Sequence, residues 1–171
     1  MKNPKVKVIA SSLDFVVEGM AILLIIVSFA LPFIYYNKLQ GEIPTHYNLL
    51  GQPDKWSQYR VIWLIPIIGL IIFVLFSILN KYPFFYRYPV KITDSNAQYL
   101  YTLGARSVRV LKLLVAGVIL CFTFQNIKIG LGLADSISQY CIPVFLIASI
   151  LLFLVMIFKM RRNNIQSINS N

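Results

Sequence analysis

The residues richest in chemistry fall in one short stretch, Glu42-Ile43-Pro44-Thr45-His46-Tyr47-Asn48-Leu49-Leu50-Gly51-Gln52-Pro53-Asp54-Lys55-Trp56. His46 is the one histidine of the chain, and Asp54 and Glu42 are the carboxylates near it. One histidine and two carboxylates fall short of the three protein ligands that a catalytic zinc needs beside a clean open position, so neither a metal nor another cofactor is expected. As a base and its orienting acid, His46 and Asp54 would need a nucleophile. Thr45 and Ser57 are the local hydroxyls, and no nucleophile elbow surrounds either, so no catalytic residue is assigned. A turn that presents ligand contacts asks least of the sequence. His46 would bond Asp54 or a backbone carbonyl, with Asn48, Asp54 and Trp56 displayed beside it. Holding the fold and touching a ligand both remain open to these residues.

Two further groups carry charge or polarity into apolar surroundings. Asp14 and Glu18 lie one helical turn apart, and Ser11 with Asp14 fits a capping box. Arg109 and Lys112 enter a later apolar run at a similar depth. A charge inside a membrane is costly and usually paired, so Glu18 is expected to meet Arg109 or Lys112 between helices. No ionisable residue follows deeper in any run, which disfavours a proton or ion pathway. At the far end of the same run, Gln125, Asn126 and Lys128 can join His46 and Asp54 along a shallow cleft, with snorkelling of Lys128 to the headgroups as the favoured alternative. Cys121 and Cys141 lack CxxC spacing and sit in apolar runs, which favours small buried hydrophobes over a disulfide or metal site.

These residues must be positioned by a chain that water cannot accommodate. Of its 171 residues, 58% are hydrophobic and 13% charged, and the mean hydropathy is +0.71. So short a chain cannot hide that much apolar surface in a soluble core. Disorder needs the opposite composition. The net charge of +10 is carried by residues flanking apolar runs, which reads as topology and lipid-headgroup contact; nucleic acid is not expected as a partner.

Four runs are long enough for a bilayer core of about 30 Å, which takes about 20 helical residues. They are Phe15–Tyr36, Val61–Leu79, Val110–Ile127 and Tyr140–Phe158. The first lacks a small-residue cleavage site and is expected to remain as a signal anchor. The expected fold is all-α and integral to the membrane: four transmembrane helices in a single domain over residues 1–160, with an ordered extracytoplasmic loop at 37–60. A cytoplasmic connection at 80–109 and a polar mobile tail at 161–171 complete it. Basic residues set the orientation. Lys2, Lys5, Lys7, Lys81, Arg87, Lys91, Arg106, Arg109, Lys112, Lys159, Arg161 and Arg162 fall on one side, against Lys38, Lys55, Arg60 and Lys128 on the other. The positive-inside rule then places both termini in the cytoplasm of a cell inner membrane. Tyr35, Tyr36, Trp56, Tyr59, Trp63 and Tyr140 would form the outer aromatic belt.

Within the outer loop, Ile43-Pro44 forces an extended backbone, Asn48 and Gly51 favour a turn, and Pro53-Asp54 suggests a second one. Pro44 and Gly51 are therefore structural. In the connection, Tyr82–Pro89 should be extended, and Thr93 should cap a helix that runs into the third span.

The run Ile43-Pro44-Thr45-His46-Tyr47-Asn48, with Gly51 and Asp54-Lys55-Trp56, resembles the motif iPxHfNxxGxxDxw of an uncharacterised domain of bacterial membrane proteins, shared with the SdpI-type immunity family. Tyr88–Thr93 with Asn96, Arg109 and Lys112 is similar to that family's continuation. The resemblance covers roughly residues 20–112. It implies neutralisation of a peptide toxin in the membrane and sequestration of a cytoplasmic repressor; the immunity protein itself has additional spans. The leading expectation is a non-enzymatic small membrane protein that binds a peptide, lipid or protein partner through its outer loop, in toxin immunity or envelope signalling. A membrane-embedded hydrolase or metal-dependent enzyme using His46 and Asp54, and an accessory subunit of a transporter, are the alternatives. Besides the bilayer, the implied partners are a ligand at the outer face and a cytoplasmic regulator.

Overall fold

The computed structural model describes Pro4, Val6 and residues 8–169 except Gln40 and Leu49, with side chains described through Arg162. Lys2, Lys5 and Lys7, which weigh in the charge count above, lie outside the described residues.

Four helices carry the fold: α1 (Ser12–Tyr35), α2 (Leu64–Leu79), α3 (Ala97–Gly130) and α4 (Cys141–Asn169). Each is long and apolar enough to cross a membrane, α2 when taken with the 3-10 turn Tyr59–Trp63 that leads into it. The chain is thus a multi-pass membrane protein. Lipid-facing backbone must satisfy itself internally, which is why these runs are helical throughout. The capping box at the start of α1 is present, with the Ser11 N–H and hydroxyl each donating to Asp14 Oδ2 at 2.8 Å. Prolines are accommodated at Pro32 in α1, Pro66 in α2 and Pro143 in α4, whereas the 34-residue α3 contains none.

Helix α3 is the hub, since α1, α2 and α4 all pack on it. Close approach requires glycine at Gly69, where a Cβ would fall 2.6 Å from Ile119 Cγ2. Two small cores mark the ends of the bundle. One gathers Leu39, Ile43, Ile62 and Ile127 where α1 ends and α3 finishes. The other gathers Ala97, Leu100, Tyr101 and Met160 where α3 begins and α4 ends. Elsewhere the helices turn large apolar side chains outward, as lipid solvent demands.

Four local expectations need correction. In the α1–α2 connection β1 (Glu42–Tyr47) and β2 (Pro53–Gln58) form an antiparallel hairpin with irregular register between Pro44 and Tyr47. Pro53-Asp54 accordingly opens a strand rather than a turn. Thr93 does not cap α3; Asn96 stands at its N-terminal boundary, and Thr93 and Asn96 close a preceding turn in which the Thr93 N–H donates to Asn96 Oδ1 at 2.8 Å. Tyr82–Pro89 is not uniformly extended, because Pro83–Phe85 makes a 3-10 turn stabilised by the packed rings of Tyr82, Phe84 and Phe85. Finally, Cys121 and Cys141 are joined as a disulfide that fastens α3 to the start of α4. The backbone of α4 stays helical through Arg161–Asn169, the stretch read from sequence as a tail.

Candidate functional site

The hairpin is built to sit still. Asn48 organises its turn: the side-chain Oδ1 accepts from the N–H groups of Leu50 (2.9 Å) and Gln52 (3.0 Å), and the Asn48 N–H donates to the Gln52 carbonyl (2.9 Å). Gly51 takes φ +77°, a conformation that is strained for any residue with a Cβ. Its carbonyl accepts from the Ile137 N–H at 2.9 Å, so the α3–α4 loop is stitched to the turn. Ile43 and Pro44 are buried, and Ile43 packs so closely on Gly130 that a Cβ there would come within 2.7 Å of Ile43 Cγ2. Tyr47 reaches into the bundle, and its hydroxyl donates to the buried Asn126 Oδ1. Burial pushes the Tyr47 hydroxyl up to about 12, so it is a firm donor at neutral pH.

His46 and Asp54 meet across the strands, with Nδ1 2.6 Å from Oδ1. Their side chains are 60% and 41% exposed. A pair so open to solvent contributes about 0–1 kcal/mol, so it is not what keeps the hairpin folded. The pair is instead available to whatever approaches. Asn48 and Trp56 are exposed as well. Thr45, the residue before His46, donates its hydroxyl to the Lys55 carbonyl at 3.4 Å. Among the described residues no three His, Cys, Asp or Glu side chains gather as a metal ion would require.

A cavity of about 670 Å³ opens between the hairpin, the α3–α4 loop and the start of α4. His46 and Asn48 of the hairpin and Ser138 and Gln139 of the loop bring polar groups to it, and Phe122, Ile137, Ile142 and Pro143 apolar ones. The structure therefore regroups the expected contact residues. Asp54 and Trp56 stand outside this cavity, Asp54 touching it only through His46. Gln125 does not line it, and Asn126 is consumed by Tyr47, which holds it at the hairpin base. Lys128 lies over the Phe124 ring, 5.8 Å from its centroid. The apolar wall escaped sequence reading. Its one legible sign is Ile137, an isolated apolar residue between Ser136 and Ser138 that is only 7% exposed.

At the opposite end, Glu18 Oε1 accepts from Lys112 Nζ, which also donates to Ser77 Oγ at 3.0 Å and lies 4.4 Å from the centre of the Phe73 ring. Arg109 does not take Glu18; it sits 3.4 Å from Asp14, which Arg106 also engages at 3.1 Å. Lys112 is 2% exposed and Asp14 3%, so these charges are paired as their burial requires.

Comparison with known proteins adds to this geometry. An uncharacterized protein of Archaeoglobus fulgidus is 24% identical over 132 residues, covering 69% of this chain and 72% of its own length. No solved structure matches. Residues 23–70 match the model of a domain of unknown function (DUF1648). That stretch runs from the middle of α1 through both strands into the start of α2, so the similarity covers the hairpin and the adjoining parts of the two helices that hold it.

Proposed function

We propose that the protein is a non-enzymatic membrane receptor whose hairpin end, facing away from the cytoplasm, binds an amphipathic peptide. The observation that carries this reading is the mixed lining of the cavity. Polar groups of His46 and Asn48 and apolar groups of Phe122, Ile142 and Pro143 border one space of a size typical of ligand sites. A peptide that partitions into membranes presents the same two characters. The similarity of the Ile43–Trp56 motif to the SdpI-type immunity family supports a peptide toxin as the ligand and a bacterial cell membrane as the setting. The excess of basic residues at the other end supports the orientation, with both termini in the cytoplasm. The Cys121–Cys141 disulfide at the hairpin end supports it independently, since disulfides persist on the oxidising side.

Cells producing the wild-type chain should survive a membrane-active sporulation-delaying peptide that kills cells lacking it. His46→Ala should lose that protection while accumulating in the membrane normally. No protection by the wild type would refute the reading, and protection that tracks a co-purifying protein or a retained lipid would reassign the partner. The close His46–Asp54 contact favours a hydrolase as second reading. Cleavage of the same peptide by purified protein, lost in His46→Ala, would select it.

A further inference from the structure

We propose that a second site, at the opposite end from the hairpin, holds one anionic phospholipid in the groove between the start of α3 and the end of α4. The groove encloses about 730 Å³. Its walls include Tyr99 and Arg106 on α3 and Leu154, Phe158, Lys159 and Arg162 on α4. The two helices run antiparallel, since Ala97 clusters with Met160 and Cys121 is bonded to Cys141. Depth along α4 can therefore be read directly. Lys159 and Arg162 lie one turn apart at the end of the membrane-spanning part of α4, Cys141–Arg162, while Phe158 and Leu154 step inward toward the bilayer centre. The groove is basic where headgroups lie and apolar where acyl chains lie.

Two of the three charges there, Lys159 and Arg162, lack a carboxylate partner among the described residues. The chain has only six acidic residues, and Asp14 is the carboxylate that approaches this groove. Asp14 is already shared between Arg106 and Arg109. Arg106 bonds it through Nε and Nη2, which leaves Nη1 without a partner among the described residues. Three cationic groups converging on one groove call for an anion. Leu154 and Phe158, 55% and 66% exposed beneath them, call for a chain attached to it. Basic pockets between membrane helices take anionic headgroups on these grounds. Tyr99 stands at the rim, where an aromatic ring favours the interface.

The test uses the full chain, exchanged from detergent into discs of phosphatidylcholine mixed with phosphatidylglycerol, with native mass spectrometry counting retained lipids. The wild type should keep one phosphatidylglycerol in preference to phosphatidylcholine. Lys159→Gln combined with Arg162→Gln should lower that retention about 30-fold, the effect of two basic contacts. Lys81→Gln with Lys91→Gln removes the same charge elsewhere and should leave retention unchanged. Equal losses in both doubles would overturn the proposal in favour of diffuse surface attraction. So would the absence of preference in the wild type. Displacement of the lipid by inorganic phosphate would overturn it in favour of a free-anion site.

Discussion

Replacing Glu18 by Gln removes the charge that faces Lys112 and changes almost nothing in shape. Lys112 is 2% exposed, so its ammonium cannot turn to water. It would keep Ser77 Oγ at 3.0 Å and the Phe73 ring at 4.4 Å, neither of which carries a formal negative charge. Two unit charges about 4 Å apart attract by about 4 kcal/mol at an effective dielectric near 20. Breaking a buried pair from one side costs about 3–5 kcal/mol. Glu18 itself is 29% exposed, which places the expected loss at the lower end, about 3 kcal/mol. Lys112→Met should cost a comparable amount, because it abandons a carboxylate whose Oε2 is already buried without a hydrogen-bond partner among the described residues. The double variant Glu18→Gln with Lys112→Met should recover most of the loss, since an apolar replacement of both partners is near neutral. Unfolding in mixed micelles, followed by helical circular dichroism, measures all four species as a double-mutant cycle. Additive effects of the two substitutions would refute the argument, because they would mean that the charges do not stabilise one another in the folded state.

Tyr47→Phe removes the donor to Asn126 and should cost about 1–3 kcal/mol through the orphaned buried acceptor, read as faster amide exchange across the hairpin. Because burial raises the Tyr47 hydroxyl, its contribution is complete below pH 10 and is lost as pH rises from about 10 through about 12. Trp56 fluorescence should report that alkaline step in the wild type but not in Tyr47→Phe. Gly51→Ala should cost about 1–2 kcal/mol, since a Cβ at φ +77° is strained and would also press on Ile137 at 3.1 Å; thermal unfolding checks it. Cys121→Ser opens a link between residues 20 apart and should lower stability by about 3 kcal/mol. Reductant should reproduce that loss in the wild type and add nothing in the variant.

What could be read from the chain followed the scale of the interaction. The spans are legible because each is a local run of apolar residues, and α1 even announces its start through Ser11 and Asp14. The hairpin is not, because its strands mix Glu42, Pro44, Pro53 and Asp54 with few β-formers. An isolated two-stranded ribbon is marginal in water, and this one persists through Ile43 packing on Gly130 and Tyr47 bonding to Asn126. Those contacts join residues about eighty positions apart. Cys121 and Cys141 were illegible for the same reason, since spacing along the chain says little about which faces two helices turn to each other. The motif residues were found in sequence, but half of the cavity was not. Phe122, Ile142 and Pro143 look like any other residue of a lipid-soluble helix until the fold sets them on one cavity with His46.

Helix α3 reaches from the charge cluster around Arg106 to Asn126 beneath the hairpin without a proline to bend it. At 1.5 Å per residue that is about 30 Å of unbroken rod between those two residues, roughly the thickness of the hydrocarbon layer. Pro66 and Pro143 fall in the first turns of α2 and α4 and Pro32 near the end of α1, whereas this helix is a piston shaft. Asn126 beneath the hairpin and the cations Arg106, Arg109 and Lys112 thus share one continuous strut, whose length matches the oily layer it crosses.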